Sequence, residues 1–473
     1  MSCEDFVDEP QPQAEVGSEA VFSSPEGVRA FLTGTYRALR GFNDELANTT
    51  ASNDDSEGYG SLMNTRTVVG NDFVQPAFQW MAFEYRYLAR ESSNSRKVNF
   101  VWNMAYEIIN SMNLLIEGVE ASGLSENQKE EFIAEARAIR GLMYFEAVKE
   151  YALPYAAGRD NVGIPIYLES ASVASTGNPR KSVGEVYDVI RADLEYASAN
   201  IPVERDFKWR INKAVADGIL ARVYLHMGLW SEAATAANSA RTTYGAGLAP
   251  ASYADGFDVL ESPEWIWGLP FSADQTLYYG SFASFWDGTR YTPTIKANPT
   301  FVAEFSETDV RNLFTPIAND VLYDVEKFEA NPDFGEDVVL MRVAEMYLIE
   351  AEGLARSGSE DAAAELLFEL QSNRDPMFTT PSGNTGDALI EEILLERRKE
   401  LYAEGLADFP DYRRLQMGWS RDASHPAAFR FALEPNDYRF FLLIPQAEID
   451  ANPAINEEDQ NPNAPGDTWP AAK

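Results

Sequence analysis

The chain is poor in the side chains that most enzymes and metal centres use. Its 473 residues include one cysteine and two histidines. A lone cysteine excludes an intramolecular disulfide and a cysteine-based metal cluster within one chain. With Cys3 terminal, and with His226 on a predicted helix and His425 in the loop RDASHPAAF, no Cys–His pair and no obvious Ser-His-Asp arrangement is on offer. The G-x-S-x-G, P-loop and G-x-G-x-x-G patterns are absent, and GYGSLM lacks the last glycine. Basic residues are also scarce, 38 against 75 acidic ones, for a formal net charge of −37. Such a field repels phosphate backbones and anionic lipid headgroups, which argues against nucleic acid and against membrane binding by charge. Neutral ligands fit best, although solubility or adaptation to salt explains the acidity at least as well. No apolar run approaches the length of a membrane span, since the densest patch, RFFLLIP, stops at Pro445. A glycosidase needs only two carboxylates at a set separation, so that one enzymatic reading stays open.

What the sequence does have is helical periodicity. The leader MSCEDFVDEPQPQAEVG is polar and aperiodic and reads as a tether over residues 1–20. Its Cys3 fits either a lipid-bearing residue left by signal cleavage or an ordinary cysteine near an N-terminus. A cap-like Ser24-Pro25-Glu26 then opens a helix with Val28, Phe31, Leu32, Tyr36 and Leu39 in helical spacing. Val101, Met104, Ile108, Met112 and Leu115 form one stripe, and Phe132, Ala136, Ile139, Met143 and Ala147 form another behind Ser125. INKAVADGILARVYLHMGLWSEAATAANSA reads as helix, turn at Gly228-Leu229, helix, with small residues for close antiparallel contact. DVVLMRVAEMYLIEAEGLARSGSEDAAAELLFEL repeats that plan around Ser357-Gly358-Ser359. A further helix is predicted from about Asp387 to Ala403, where the charged run EEILLERRKELYAE reads as a solvated face with Glu396 and Glu400 opposed by Arg397 and Arg398. RFFLLIP reads as a strand. The predicted class is mainly α, with irregular loops and minor β-strands.

Two loops concentrate the chemistry. Nine aromatics fall in the 27 residues from Trp265 to Tyr291, against 12% for the whole chain, in a stretch broken by Gly280 and Gly288. Flat aromatic rings suit the C–H faces of sugars, and planar polar groups suit their hydroxyls. Tyr278, Tyr279, Phe282 and Trp286 are the platform candidates, with Asp287 and Arg290 beside them. Packing onto the helices is the competing reading, strongest for Phe282 and Phe285. Trp265 and Trp267 look strand-like, with one of them in the core. The polar stretch from Asn43 to Asp72 is too long for a simple connector. Its extension to Trp80 would supply the second wall through Asp54, Asp55, Tyr59, Asn64, Arg66 and Trp80. Asp54 and Asp55 could instead hold a structural calcium ion. No other cofactor is expected.

Taken together, these segments resemble the SusD/RagB family of outer-membrane glycan-binding lipoproteins. The resemblance rests on SCEDF, EARAIRGLMYFEAVKEYALPY with GIPIYLE, AVADGILARVYLHMGLWSEA, MRVAEMYLIEAEGLARSG, ILLERRKELYAEGLADFPDYRRL and LLIPQAEIDANPAINEEDQNP, in that order along nearly the whole chain. Phe409-Pro410-Asp411 departs from the aromatic-Phe-Asp-Leu run usual in relatives, which bears on local packing. The resemblance implies four tetratricopeptide-like helix pairs forming a scaffold. It implies one domain over 21–473, with ligand-binding loops inserted around 43–80 and 250–335. It also implies lipidation at Cys3, an outward-facing place on the outer membrane, and a SusC-like TonB-dependent transporter as partner. The expected function is non-catalytic capture of a neutral oligo- or polysaccharide. The alternatives are a peptide-binding member of the same family, a helical-repeat adaptor for protein ligands and, more remotely, a glycoside hydrolase.

Overall fold

The computed structural model describes residues 18–41, 58–78, 81–287, 295–317 and 321–473. Ten helices of eight or more residues occur among them: α1 (Pro25–Arg40), α2 (Gly58–Val68), α3 (Arg96–Ala121), α4 (Glu126–Tyr151), α5 (Val183–Asn200), α6 (Lys213–Met227), α7 (Trp230–Tyr244), α8 (Val343–Arg356), α9 (Glu360–Arg374) and α10 (Asp387–Leu401). Their starts follow local chemistry. Ser24 accepts from the Gly27 N–H at 3.2 Å to open α1, and Ser125 forms a capping box with Gln128 to open α4. Gly228, at φ +72°, ends α6 in the left-handed conformation that lets the chain reverse into α7.

The scaffold is a sequence of packed neighbours: α3 on α4, α4 on α5, α6 on α7, α7 on α8, and α8 on both α9 and α10. Alanines do the close fitting, since Ala216, Ala221, Ala233 and Ala237 are fully buried between α6 and its neighbours. Gly353 in α8 permits a close backbone approach, because a Cβ there would lie 2.5 Å from the Trp230 carbonyl oxygen. This mainly helical, tetratricopeptide-like architecture is the predicted one.

The strands are short. A four-stranded antiparallel sheet runs in the order β1 (Phe73–Val74), β5 (Lys296–Ala297), β7 (Leu322–Val325), β6 (Phe314–Ile317). Three two-stranded pairs complete the set: β2 (Val162–Pro165) with β3 (Arg180–Ser182), β4 (Trp265–Leu269) with β8 (Val338–Arg342), and β9 (Trp419–Ser420) with β10 (Ala432–Leu433). Both Trp265 and Trp267 are buried, where one was expected in the core; two residues apart on a strand, they favour the same face, and the pair they join carries register breaks. The RFFLLIP segment joins no sheet; its Leu442 N–H donates to the Glu150 carbonyl at 2.8 Å and its Ile444 N–H to Gln460 Oε1 at 2.7 Å. Helix α2 lies inside the stretch predicted as a loop. It is buried on nearly every side, so it carries no apolar stripe for periodicity to detect.

The largest departure from expectation concerns α10. Glu396, Arg397, Lys399 and Glu400 are buried, not solvated. Glu400 Oε1 meets Arg342 Nη1 at 2.7 Å and Arg374 Nη2 at 3.0 Å, while its Oε2 meets Arg311 Nη1 at 3.2 Å. Glu404 takes Arg342 Nη2 and Lys327 Nζ, each at 2.6 Å, and Glu264 chelates Arg374 at 2.9 and 2.7 Å. One cluster thereby joins β4, β8, the end of α9, α10 and the 309–327 segment. Removing a buried carboxylate strands the cations it served, at a cost of about 3–5 kcal/mol. Glu400→Ala is therefore expected to lose about that much stability, measured as a lower denaturant midpoint at unchanged slope; a loss within about 0.5 kcal/mol, as at an ordinary surface position, would contradict the network.

Candidate functional site

Most of the residues predicted to touch ligand are core. Trp286 is 0% exposed; its Nε1–H donates to Asn64 Oδ1 at 3.0 Å, and its ring meets Phe73 edge-on with centroids 5.1 Å apart. Phe282 packs edge-on against Phe328 at 5.0 Å, and Asp287 Oδ2 accepts from the Ala330 N–H at 2.9 Å. Asn64 is itself buried. Tyr59 donates to Glu146 at 2.8 Å, and Arg66 pairs with Glu146 and Glu150 at 2.6 and 2.9 Å. A ring or guanidinium enclosed in this way has no face left for a sugar, so the platform assignments at Trp286 and Phe282, and the ligand roles given to Asp287, Tyr59, Asn64 and Arg66, are corrected. These aromatics fasten the loop to α2 and the four-stranded sheet. Trp80, Arg290, Asp54, Asp55 and Cys3 lie outside the described residues, as does the side chain of Tyr279. Among the described platform candidates Tyr278 projects outward, 67% exposed beside Phe334 at 6.4 Å.

Sequence reading passed over a second exposed aromatic group. The segment from Met81 to Arg90 sends Tyr85, Tyr87 and Arg90 inward and Phe83 and Leu88 outward. The inward residues are anchored: Tyr85 bonds His425 Nδ1 at 2.7 Å, Tyr87 donates to the Val69 carbonyl at 2.6 Å, and Arg90 Nη1 donates to the Phe440 carbonyl at 2.9 Å. On the outside, Phe78 and Phe83 meet edge-on at 5.5 Å, 57% and 50% exposed. The Arg86 guanidinium sits between the faces of Phe78 and Phe429, 4.5 Å from each centroid. A cation held between two rings restrains both, so the exposed Phe78, with Phe83 packed edge-on against it, is presented with little freedom left to lose.

Backbone strain marks the same places. Met81 and Tyr87 flank Phe83 at φ +61° and +63°, and Tyr278 and Phe334 take +51° and +59°. Non-glycine residues hold this conformation only where the surroundings impose it, and such residues cluster at binding sites. Polar groups flank the Phe429 side. Asp422 accepts from Asn298 at 3.2 Å and from Thr300 at 3.1 Å, and Arg430 is exposed. Burial pushes the Asp422 carboxyl up, but hydrogen bonds from Ser424, Asn298 and Thr300 outweigh it and hold the group below the usual carboxylate range. Elsewhere an open groove of about 1050 Å³ lies between α3 and the 166–178 loop, floored by Tyr106 and Tyr167 and edged by Asn110, Ser172, Ser175 and Glu448.

The titratable groups near the platform are poorly placed for catalysis. Burial and the Arg421 guanidinium push His425 down to about 4, so it is neutral in ordinary buffers. Asp408 is pushed up to about 7 by burial and by the neighbouring Asp72 carboxylate, yet it is enclosed, with Oδ2 accepting from the Asn71 and Asp72 N–H groups at 2.7 and 3.3 Å. Among the described residues no group of three His, Cys, Asp or Glu side chains is arranged to hold a metal ion. No helix among them is long and apolar enough to cross a membrane.

Comparison with known proteins decides the family. A model described as starch-binding and associating with the outer membrane matches residues 35–225, and the SusD family model matches residues 328–463. The chain belongs to the SusD family. A SusD-like protein of Formosa agariphila is 24% identical over 470 residues, covering 85% of this chain and 86% of its own. The crystal structure of a SusD-like carbohydrate binding protein from Bacteroides vulgatus superposes with a TM-score of 0.82 at 25% identity, covering 92% of this chain and 97% of that one. A SusD superfamily protein from Bacteroides thetaiotaomicron gives 0.80 at 22% identity, covering 93% of this chain and all of that one. The SusD fold thus accounts for the scaffold.

Two outcomes follow from the site's geometry. Trp286→Ala is expected to destabilise by about 3–5 kcal/mol, the range for deleting a large buried aromatic, and a near-native melting temperature would return Trp286 to the ligand candidates. Because the Asp408 pKa is raised, the folded state holds that proton more tightly than the unfolded chain. Its contribution to stability is full below about pH 4 and is lost as pH rises through about 7. Asp408→Asn should flatten the fall in melting temperature between those limits; an unchanged slope would count against the assignment.

Proposed function

We propose that this protein captures a neutral oligo- or polysaccharide at the Phe78–Phe83 platform and passes it to a SusC-like TonB-dependent transporter, itself catalysing nothing. The observation that carries the reading is the exposed pair Phe78 and Phe83, packed edge-on, with Phe78 held by the Arg86 guanidinium that also sits over Phe429. Apolar faces with hydroxyl-binding neighbours at Asp422 and Arg430 are what a sugar's two surfaces require. The family's description as starch-binding and associated with the outer membrane supports the substrate class and the location. The net charge of −37 supports an uncharged ligand. Lipid attachment at Cys3 would hold the protein outward on that membrane. A structural calcium at Asp54 and Asp55 is part of the same proposal and would be read as a melting shift with chelator. Single-site binding need be only weak, because repeating units along a polymer raise retention without new contacts.

Each exposed ring should contribute about 0.5–1.5 kcal/mol through stacking. Phe78→Ala with Phe83→Ala should therefore weaken binding about tenfold or more, at an unchanged melting temperature. Calorimetry or affinity electrophoresis against neutral polysaccharides, with reducing ends assayed on the same samples, reads both quantities. Undiminished binding in the double variant would sink the platform. Reducing-end release would point to hydrolysis, and binding of peptides in place of glycans would point to the peptide-binding reading.

A further inference from the structure

A second concave site lies within the scaffold and shares no lining residue with the platform. It is a small pocket of about 50 Å³, walled by the ends of α4 and α6, by α8, and by the Phe409–Arg414 turn of helix. Room of this size admits a few waters or one small ion, not a sugar ring. Six cationic side chains line it, Arg66, Lys149, Arg222, Arg397, Arg413 and Arg414, against one lining carboxylate, Glu345. In a chain with twice as many acids as bases, that ratio is locally inverted.

The six differ in how well they are satisfied. Arg222 holds Glu345 bidentately at 2.7 and 2.6 Å, and Arg414 holds Glu352 at 2.9 and 2.7 Å and Asp411 at 2.7 Å. The carboxylates behind the wall are shared beyond that. Glu150 serves Arg66, Arg90 and Arg413, the last at 3.5 Å, and Glu146 serves Arg66, Lys149 and the Tyr59 hydroxyl. Among the described residues Arg397 reaches only Asp411 at 3.4 Å and the Leu406 carbonyl at 3.3 Å; it is 3% exposed, and none of them accepts from its buried Nη1. A buried guanidinium nitrogen without an acceptor is costly unless something supplies one.

We propose that this pocket binds one small oxyanion, of the sulfate, phosphate or carboxylate class, bridging Arg397, Arg413 and Lys149. Planar guanidinium forks match oxyanion geometry, and an ammonium at the rim adds a point charge. Burial and neighbouring charge both act on the pocket's own groups. Burial and the Arg66 charge push Lys149 down to about 7, and burial pushes Arg413 down to about 10. The His226 ring is held well below its ordinary value by burial and by Lys149. Of the lining residues, Lys149, His226 and Pro410 are only half-buried.

The test uses the full chain with sodium sulfate and sodium phosphate as probes, matched in ionic strength by sodium chloride. Sulfate stabilises many proteins non-specifically through exclusion, so the diagnostic signs are saturation and loss in variants. The expected result is a saturable rise in melting temperature of about 2–4 °C, with heat of binding by calorimetry, and an affinity at least tenfold weaker in Arg413→Gln. If Arg413→Gln fails to fold, Lys149→Gln at the rim carries the same test, with a smaller loss expected. A response equal to chloride, or one undiminished in the folded variants, would overturn the proposal.

Discussion

Everything in this fold leans on the burial of positive charge. Among the described residues 17 lysines and arginines and 21 aspartates and glutamates are buried, in a chain that holds 38 of the former and 75 of the latter. A charge taken out of water must be met by an opposite charge at hydrogen-bonding distance or it destabilises the fold by several kcal/mol. The cluster around Glu400 meets that condition most fully. Its two oxygens face Arg311, Arg342 and Arg374, and each of those arginines has at least one further carboxylate of its own. Because these partners come from strands, helix ends and an insertion, the geometry is satisfied only when all of them are in place. The cluster thus specifies how the loop-bearing insertion seats on the helices, in addition to whatever stability it contributes.

The same sorting of charge shapes the outside. With basic residues drawn disproportionately inward, the surface is more one-sidedly acidic than the composition alone conveys. An uncharged ligand approaching it meets no opposing field, and an anionic polymer meets repulsion across most of the molecule. Under the proposed function recognition then rests on shape and on apolar faces, of which Phe78 and Phe83 are exposed examples. The cation-lined pocket is the counter-case. There the carboxylates are oversubscribed and the positive charge is screened from the acidic surface by the walls.

Helices and their pairing were legible in the sequence because their information is local. Stripes such as Val101, Met104, Ile108, Met112 and Leu115, and turns such as Gly228, need no knowledge of distant residues, and all five stripe residues are buried. The α10 run misled for the opposite reason. A charged side chain is read as solvated unless its partner is known, and the partners of Glu400 lie 26, 58 and 89 residues away. Aromatic content in the 265–291 stretch was equally ambiguous. The composition that equips a sugar platform also equips a loop to be packed down, and the group that satisfies the Trp286 indole, Asn64, is 222 residues distant. No local signal separates those two cases.

What separates them physically is how the backbone is held. A ring that packs a loop down is immobilised by burying its faces, as Trp286 and Phe282 do, and nothing remains to bind with. A ring that binds must be immobilised while its face stays in water, and burial cannot do that. At the platform the task falls to the neighbours: Tyr85 and Tyr87 anchor the backbone inward, left-handed residues at Met81 and Tyr87 turn the chain, and Arg86 grips Phe78 from behind. Left-handed backbone at a non-glycine residue costs on the order of 1–3 kcal/mol, and the segment contains two such residues within seven positions. The charge-welded scaffold beneath can hold that strain. A loop on a softer core would relax it, and with it the pre-set faces that the proposed sugar site requires if a flexible chain is to bind without first ordering the protein.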